Sequence, residues 1–194
     1  SVSVISASSE IRYTGYVTGD AQHSNNRRHQ RAVGVGASTP QRNEELRGRL
    51  KDLQSSSQLS GSELQMLQGV LRSHFLFSRM PTSCLTQICW GMERMTLSIG
   101  EPVVEQGQMD AEHFYIVNDG EFQVEVTKAE SDGPIPVAKL STGAAFGEMA
   151  LLYATTRTAT VRCTVPGSGF SLSRAMYLLI IQEGAEEGNQ PRAT

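Results

Sequence analysis

A glutamate and an arginine nine positions apart, Glu148 and Arg157, are the residues whose types and spacing most directly suggest chemistry. Between them, residues 149–153 predict one short helical turn directly after Gly147, and the free N–H groups at a helix start attract anions. An arginine guanidinium binds two phosphate oxygens at once, and a carboxylate accepts hydrogen bonds from a sugar hydroxyl. These residue types suit a ligand that carries both a ribose and a phosphate. The same two side chains would also suit an internal salt bridge across a turn.

The segment that positions these residues has the alternating pattern of β structure. After Gly100, short apolar runs are separated by turn residues, which is typical of an antiparallel barrel or sandwich. Asp119-Gly120 predicts a hairpin turn between two of these runs. The predicted strands cover residues 103–104, 114–117, 122–126, 137–140, 158–164 and 169–172.

Helices are predicted on both sides of this β segment. Residues 43–54 have leucines at helical spacing, and the next helix is predicted to open with a capping box formed by Ser62 and Gln65. A further helix follows Pro81, with Thr82 or Ser83 as its cap. The last predicted helix covers residues 175–181 and ends at Gly184.

Composition excludes several classes of protein. The chain has 194 residues and a net charge of -3, so nothing predicts attraction to nucleic acid. Its apolar runs are too short to span a membrane, and no secretory signal precedes them. Three cysteines without histidine companions predict buried thiols in the reducing cytoplasm, rather than zinc ligands or a disulfide. Because the chain begins with Ser1, we expect a processed or partial product.

The stretch 146–161 resembles the phosphate-binding cassette of cyclic-nucleotide-binding domains. The cassette runs Phe-Gly-Glu, a short apolar helix, and then Arg-(Ala or Thr)-Ala-Thr, and here it reads FGEMALLYATTRTATV. The family includes kinase regulatory subunits, bacterial catabolite activators and cyclic-nucleotide-gated channels. The glycine-punctuated strands within 100–121, the leading helices at 69–76 and 88–92, and the segment 169–174 are also similar to the family, so the resemblance covers roughly residues 62–183.

The resemblance implies an α+β fold, in which an antiparallel β jelly-roll barrel is flanked by N-terminal helices and a C-terminal closing helix. Residues 62–184 would form the cyclic-nucleotide-binding domain. Residues 1–61 would form a disordered or linker tail that includes the short helix 43–54, and residues 185–194 a flexible tail.

Seven ligand-binding residues follow from the resemblance. Glu148 would bind the ribose 2′-hydroxyl and Arg157 the cyclic phosphate, while Gly147 would allow the sugar to approach closely. Main-chain N–H groups around Met149 and Ala150 and at Ala159 would complete the phosphate site, and Thr158 would contact the base. The ligand would be cGMP or cAMP, with no cofactor, no metal and no catalytic residue. A barrel that keeps this sequence pattern but has lost its ligand is the alternative.

Thr158 bears on the choice of nucleotide. In the family, alanine at this place goes with cAMP, whereas threonine is typical of cGMP-dependent protein kinases, in which its hydroxyl bonds the guanine amino group. The sequence therefore favours cGMP, although Thr158 also suits a strand simply as a β-branched residue.

The N-terminal segment contains a second motif, Arg31-Ala32-Val33-Gly34-Val35. An arginine three positions before the acceptor and an apolar residue after it match substrates of basophilic kinases, but Gly34 stands where the acceptor hydroxyl would be. The segment resembles the autoinhibitory pseudosubstrate of cGMP-dependent kinases, with Arg31, Gly34 and Val35 as its key residues. A basic, glycine-rich linker is the alternative.

The predicted function is therefore regulation of a protein kinase catalytic domain, in cis or in trans, by a chain that is not an enzyme. No kinase motifs are present in these residues, and the lid helix of the family is not evident. The alternatives are a regulatory subunit of cAMP-dependent protein kinase and the cyclic-nucleotide sensor of a channel. A cupin-type enzyme would need histidine ligands on neighbouring strands, and the predicted barrel contains only His113.

Overall fold

The computed structural model describes residues 39–56, 59–109, 111–129, 132–153 and 156–188. The predicted tail upstream of residue 39, including the motif with Arg31, Gly34 and Val35, lies outside these ranges. In chain order the elements are α1 Pro40–Ser55, α2 Gly61–Ser73, α3 Thr82–Trp90, β1 Glu93–Leu97, β2 Pro102–Val104, β3 His113–Val126, β4 Ile135–Leu140, β5 Ala145–Phe146, α4 Met149–Leu152, β6 Thr160–Ser173 and α5 Arg174–Gly188.

The six strands form one antiparallel sheet built around two long strands, β3 and β6. The strand order is β1-β6-β3-β4, while β2 also pairs with β6 and β5 with β3. Alternate residues of β3 face opposite sides, as the period of a strand requires. Phe114 and Ile116 pack with the helices, whereas Tyr115 and Val117 pack inside the barrel. The predicted fold class, antiparallel β structure flanked by N-terminal helices and a closing helix, is confirmed.

The helices form a layer on one face of the sheet. Phe77, from the turn after α2, is fully buried against Phe114 and Tyr177. The predicted helix 43–54 is present as α1, whose Leu50 lies in the same core cluster. Arg47 Nε also donates to Glu183 Oε1 of α5 at 2.6 Å. A segment that the sequence placed in the linker tail therefore contributes to the folded core, while the domain boundaries themselves stay predictions.

The prediction of a hairpin turn at Asp119-Gly120 is wrong. β3 continues through both residues, and its register with β6 shifts on either side of them, which is a bulge. Gly120 has φ +88, and a Cβ there would lie 2.6 Å from the Val165 carbonyl oxygen. The glycine thus serves a close approach within a continuous sheet. The two strands predicted at 158–164 and 169–172 are also one strand in the structure, because β6 runs without a break from Thr160 to Ser173, and residues 158 and 159 precede it.

Three predicted helix ends also differ from the structure. The capping box of α2 uses Ser60 and Glu63 instead of Ser62 and Gln65: the Ser60 N–H donates to Glu63 Oε2 at 2.8 Å, and the Glu63 N–H donates to Ser60 Oγ at 3.2 Å. Pro81 is the N-cap of α3, so neither Thr82 nor Ser83 caps it. Gly184 does not end α5, which continues to Gly188. A Cβ at Gly184 would lie 2.6 Å from Cys84 Sγ, so this glycine permits close packing within the helix.

Within the described ranges, no helix has the length and apolar character that crossing a bilayer demands.

Candidate functional site

The candidate site begins at Gly147, between β5 and α4. Its φ is +82, a conformation that L-residues with side chains rarely adopt. A Cβ at this position would lie 2.8 Å from Arg157 Nη1 and 2.9 Å from the main-chain oxygen of His113. Glycine is therefore required here because the Arg157 side chain lies directly against the backbone, while the predicted close approach of a sugar at Gly147 stays a prediction.

Arg157 is buried although it is charged, with a relative exposure of 8%. Its Nη2 donates to the His113 carbonyl oxygen at 2.9 Å, and the guanidinium carbon lies 5.6 Å from the centre of the Tyr115 ring. Its Nε is also buried, and it finds no hydrogen-bond partner among the described residues. A buried guanidinium with an unused donor is costly by itself and is suited to an anion that accepts from it.

Burial affects the charged side chain of Arg157 more strongly than its neighbours Tyr115 and Glu148 do. Burial lowers the pKa of the Arg157 guanidinium, whereas Tyr115 and Glu148 raise it. Arginine nevertheless stays protonated in proteins. Tyr115 stacks on Phe146 with ring centres 5.0 Å apart, and burial raises the pKa of its hydroxyl. The guanidinium thus lies beside the Tyr115 ring in a buried place, where a bound anion would interact strongly with it.

Two main-chain hydrogen bonds fix the backbone of Arg157. Its N–H donates to the Gln108 carbonyl oxygen at 2.9 Å, and its own carbonyl oxygen accepts from the Gly107 N–H at 2.8 Å. Both partners belong to the loop between β2 and β3. Arg157 is therefore held like a strand residue, although β6 begins three positions later at Thr160.

Glu148 is positioned by the single turn of α4. It is the N-cap residue, with helical φ and ψ, and its half-buried side chain makes no capping bond. No ion pair in the described part of the chain joins Glu148 to Arg157, so the alternative of a salt bridge across the turn is not what this structure contains. The carboxylate remains near enough to raise the pKa of both Arg157 and His74.

The other predicted ligand residues differ in their exposure and in their hydrogen bonds. Met149 and Thr158 are exposed, and Ala159 is half-buried at the entrance to β6. The Ala150 N–H donates to the Gly147 carbonyl oxygen at 3.1 Å, so the turn itself uses this donor, and the part predicted for Ala150 in phosphate binding stays a prediction. The structure thus brings Gly147, Glu148 and Arg157 together. Ala154 and Thr155, between α4 and Arg157, lie outside the described residues.

Three residues near Arg157 and Glu148 were missed at the level of sequence. His113 and Tyr115 come from β3, more than forty positions before the arginine they contact. Their period-two spacing on one face of a strand was the available signal. His74, after α2, has its ring 4.8 Å from Phe75 and 5.5 Å from Phe114. Burial lowers the pKa of His74, and Glu148 opposes this shift.

Metal chemistry has no support in the described ranges, which contain no cluster of three or more His, Cys, Asp or Glu side chains suited to an ion. The three cysteines there, Cys84, Cys89 and Cys163, are free and buried. Burial raises the pKa of Cys89 to about 12, so this thiol is inert at neutral pH.

Comparisons with known proteins point to one family. The family model described as "Cyclic nucleotide-binding domain" matches residues 94–183. A cAMP-dependent protein kinase regulatory subunit of Yarrowia lipolytica is 30% identical over 135 residues, covering 69% of this chain and 34% of that protein. A cGMP-dependent protein kinase of Eimeria tenella is 28% identical over 141 residues, covering 73% of this chain and 13% of that protein.

A solved structure of a kinase regulatory domain is also similar to this chain. The regulatory domain of Toxoplasma gondii PKA, crystallised with cAMP, superposes with a TM-score of 0.57 at 27% identity, covering 67% of this chain and 49% of that one. The chain spans about a third of the length of the curated regulatory subunits that it matches.

Proposed function

Because residues 94–183 belong to the cyclic nucleotide-binding domain family, we propose that this chain binds a cyclic nucleotide between Glu148 and Arg157 and thereby regulates a protein kinase. The observation that carries the proposal is the buried guanidinium of Arg157, whose Nε is unused among the described residues and whose Nη1 lies against Gly147. An anionic phosphate would supply the missing acceptor.

In this proposal each residue binds a different part of the ligand. Arg157 binds the cyclic phosphate, Glu148 accepts from the ribose 2′-hydroxyl, and Gly147 leaves room for the sugar. The main-chain N–H groups of Met149 and Ala159 add donors near the phosphate, whereas Ala150 would have to release its bond to Gly147 before it could do so. α4 packs on the closing helix α5, so a ligand at α4 can shift the position of α5.

The choice of nucleotide rests on Thr158. Its exposed side chain, two positions before the last strand, is available to a base, and a hydroxyl there favours cGMP by bonding the guanine amino group. The relatives that are cAMP-dependent regulatory subunits favour the second candidate, cAMP. The test is a parallel calorimetric titration of the whole chain and of Thr158→Ala with both nucleotides.

If cGMP is the ligand, Thr158→Ala should weaken cGMP binding roughly fivefold and leave cAMP binding within about twofold, because one hydrogen bond contributes about 1 kcal/mol. If the unchanged chain binds cAMP more tightly and the substitution has no effect, the second candidate stands. If neither nucleotide binds, the proposed function fails.

The output is proposed to be relief of kinase inhibition. Arg31, Gly34 and Val35 would occupy the substrate cleft of a kinase catalytic domain, in cis or in trans, without offering a hydroxyl for phosphorylation. A peptide of residues 27–37 should inhibit a basophilic kinase, and the same peptide with Gly34→Ser should be phosphorylated. A peptide that neither inhibits nor becomes a substrate would remove this part of the proposal. The free cysteines are compatible with the proposed cytoplasmic location.

A further inference from the structure

The loop between β2 and β3 contains a glutamine whose side chain acts as a clamp. The Gln106 Nε2 donates to the Thr127 carbonyl oxygen at 3.0 Å, and its Oε1 accepts from the Thr127 N–H at 2.7 Å. A primary amide that pairs with both main-chain groups of one residue reproduces a rung of a β ladder. The clamp therefore fixes the loop to the end of β3.

The same residue also fixes the loop to the start of β6. The main-chain N–H of Gln106 donates to Thr160 Oγ1 at 3.0 Å. The next two residues, Gly107 and Gln108, make the pair of main-chain bonds that fixes the backbone of Arg157. Gln106 is thus hydrogen-bonded to Thr127 at the end of β3 and to Thr160 at the start of β6, and it directly precedes the two residues that bond Arg157.

The geometry points to Gln106 as a positioning residue for phosphate binding, which acts through the 107–108 backbone on Arg157 and does not itself contact the ligand. This inference rests on the proposed function and adds a residue to its site. Without the clamp, the loop would lose its attachment to Thr127, and the main chain of Arg157 would be freer to move. A guanidinium that must meet a phosphate within a few tenths of an ångström is sensitive to such a loss.

The experiment compares Gln106→Ala with Gln108→Ala in the whole chain. Gln108 is the matched control, because it is the same residue type in the same loop and contacts Arg157 only through a main-chain carbonyl that alanine retains. Gln106→Glu is a second variant, since a carboxylate has nearly the same shape but cannot donate to the Thr127 carbonyl.

Two readouts are needed. The first is hydrogen exchange of the Gly107 and Arg157 amides without any nucleotide, with the Val117 amide, which donates to Ala144, as an internal reference. The second is the affinity for whichever of cAMP and cGMP binds the unchanged chain more tightly.

We expect both Gln106 variants to speed exchange of the Gly107 and Arg157 amides, to leave the Val117 amide unchanged and to weaken the nucleotide roughly three- to tenfold. Gln108→Ala should do neither. The inference is overturned if exchange at Arg157 is unchanged, if the affinity is unchanged, or if Gln108→Ala has the same effect. The exchange readout needs no ligand, and the unchanged chain reports separately on the proposed function.

Discussion

The two side chains proposed to bind the ligand are positioned by different kinds of structure. Arg157 is held by main-chain hydrogen bonds to a loop and by the carbonyl of His113 on a central strand. Glu148 occupies the N-cap position of α4, a helix of four residues that lies on α5, and its side chain makes no capping bond. Several directed hydrogen bonds hold a residue in one position, whereas packing between helices allows small sliding movements. In the proposed complex, the phosphate would therefore meet the firmly held side of the site, and the sugar would meet the side that can move.

This contrast explains how binding can have an effect elsewhere. α5 contacts α1 and α3 as well as α4, and the Arg47–Glu183 ion pair connects it to α1. A ligand that binds both Arg157 and Glu148 would draw α4 toward the fixed side and would move α5 with it.

The largest effect is expected for Arg157→Ala, which removes the fixed side. The affinity for the cyclic nucleotide should fall roughly 100- to 5,000-fold, because about 3–5 kcal/mol is lost when a desolvated charge partner is removed. Calorimetry measures this change, and Arg162→Ala, at a half-exposed arginine on β6, is the control. An affinity within threefold of the unchanged chain would exclude Arg157 as the phosphate ligand.

Leu50→Ala tests the helical side. Leu50 is 6% exposed and lies in the core formed by the helices. Its truncation should lower the free energy of unfolding by about 2–4 kcal/mol, and the same change at half-buried Leu53 should cost less. Urea denaturation measures both. A loss below about 0.5 kcal/mol would contradict the assignment of α1 to the folded core.

Gly147→Ala tests the point where the two sides meet. An alanine would be strained at φ +82 and would place its Cβ 2.8 Å from Arg157 Nη1, so a loss of about 2 kcal/mol in stability and a weaker affinity are expected. Gly100→Ala is the matched control, because it has the same φ but no atom within 4 Å of the added carbon, and it should cost only about 1 kcal/mol. Equal effects of the two substitutions would show that the contact with Arg157 is unimportant.

The smallest effect concerns pH. Burial lowers the pKa of His74 below its ordinary value, so the unfolded chain binds the proton more readily than the folded one. Stability should therefore fall as the pH decreases through about 6.5, the ordinary pKa of histidine, and should be independent of His74 above that. Unfolding measured from pH 5 to 8 should show a shallower dependence for His74→Gln. An unchanged slope would contradict the predicted contribution of His74.

The sequence predicted the fold class and brought the residues of the candidate site to attention for physical reasons that are local. Gly147, Glu148 and Arg157 lie within eleven residues, so their types and spacing were visible together. Alternating apolar residues likewise predicted most strands, because burial on one face imposes that period.

Features that depend on contacts between residues far apart in the sequence could not be predicted from local composition and spacing. Asp119-Gly120 has the local composition of a turn, and only the register with β6 makes it a bulge. His113 and Tyr115 contact Arg157 across the sheet, and Gln106 reaches it through a loop. The glycine at 184 suggested a helix end until the position of Cys84 was known.

The most direct test of the central claim is the NMR signal of the Arg157 Nε–H group, followed during titration with cAMP and cGMP. This donor has no partner among the described residues of the free chain, so a bound phosphate should shift its resonance strongly downfield. The nucleosides adenosine and guanosine, which lack the phosphate, should not produce that shift. A cyclic nucleotide that binds while this resonance stays unchanged would contradict the claim that Arg157 is its phosphate ligand.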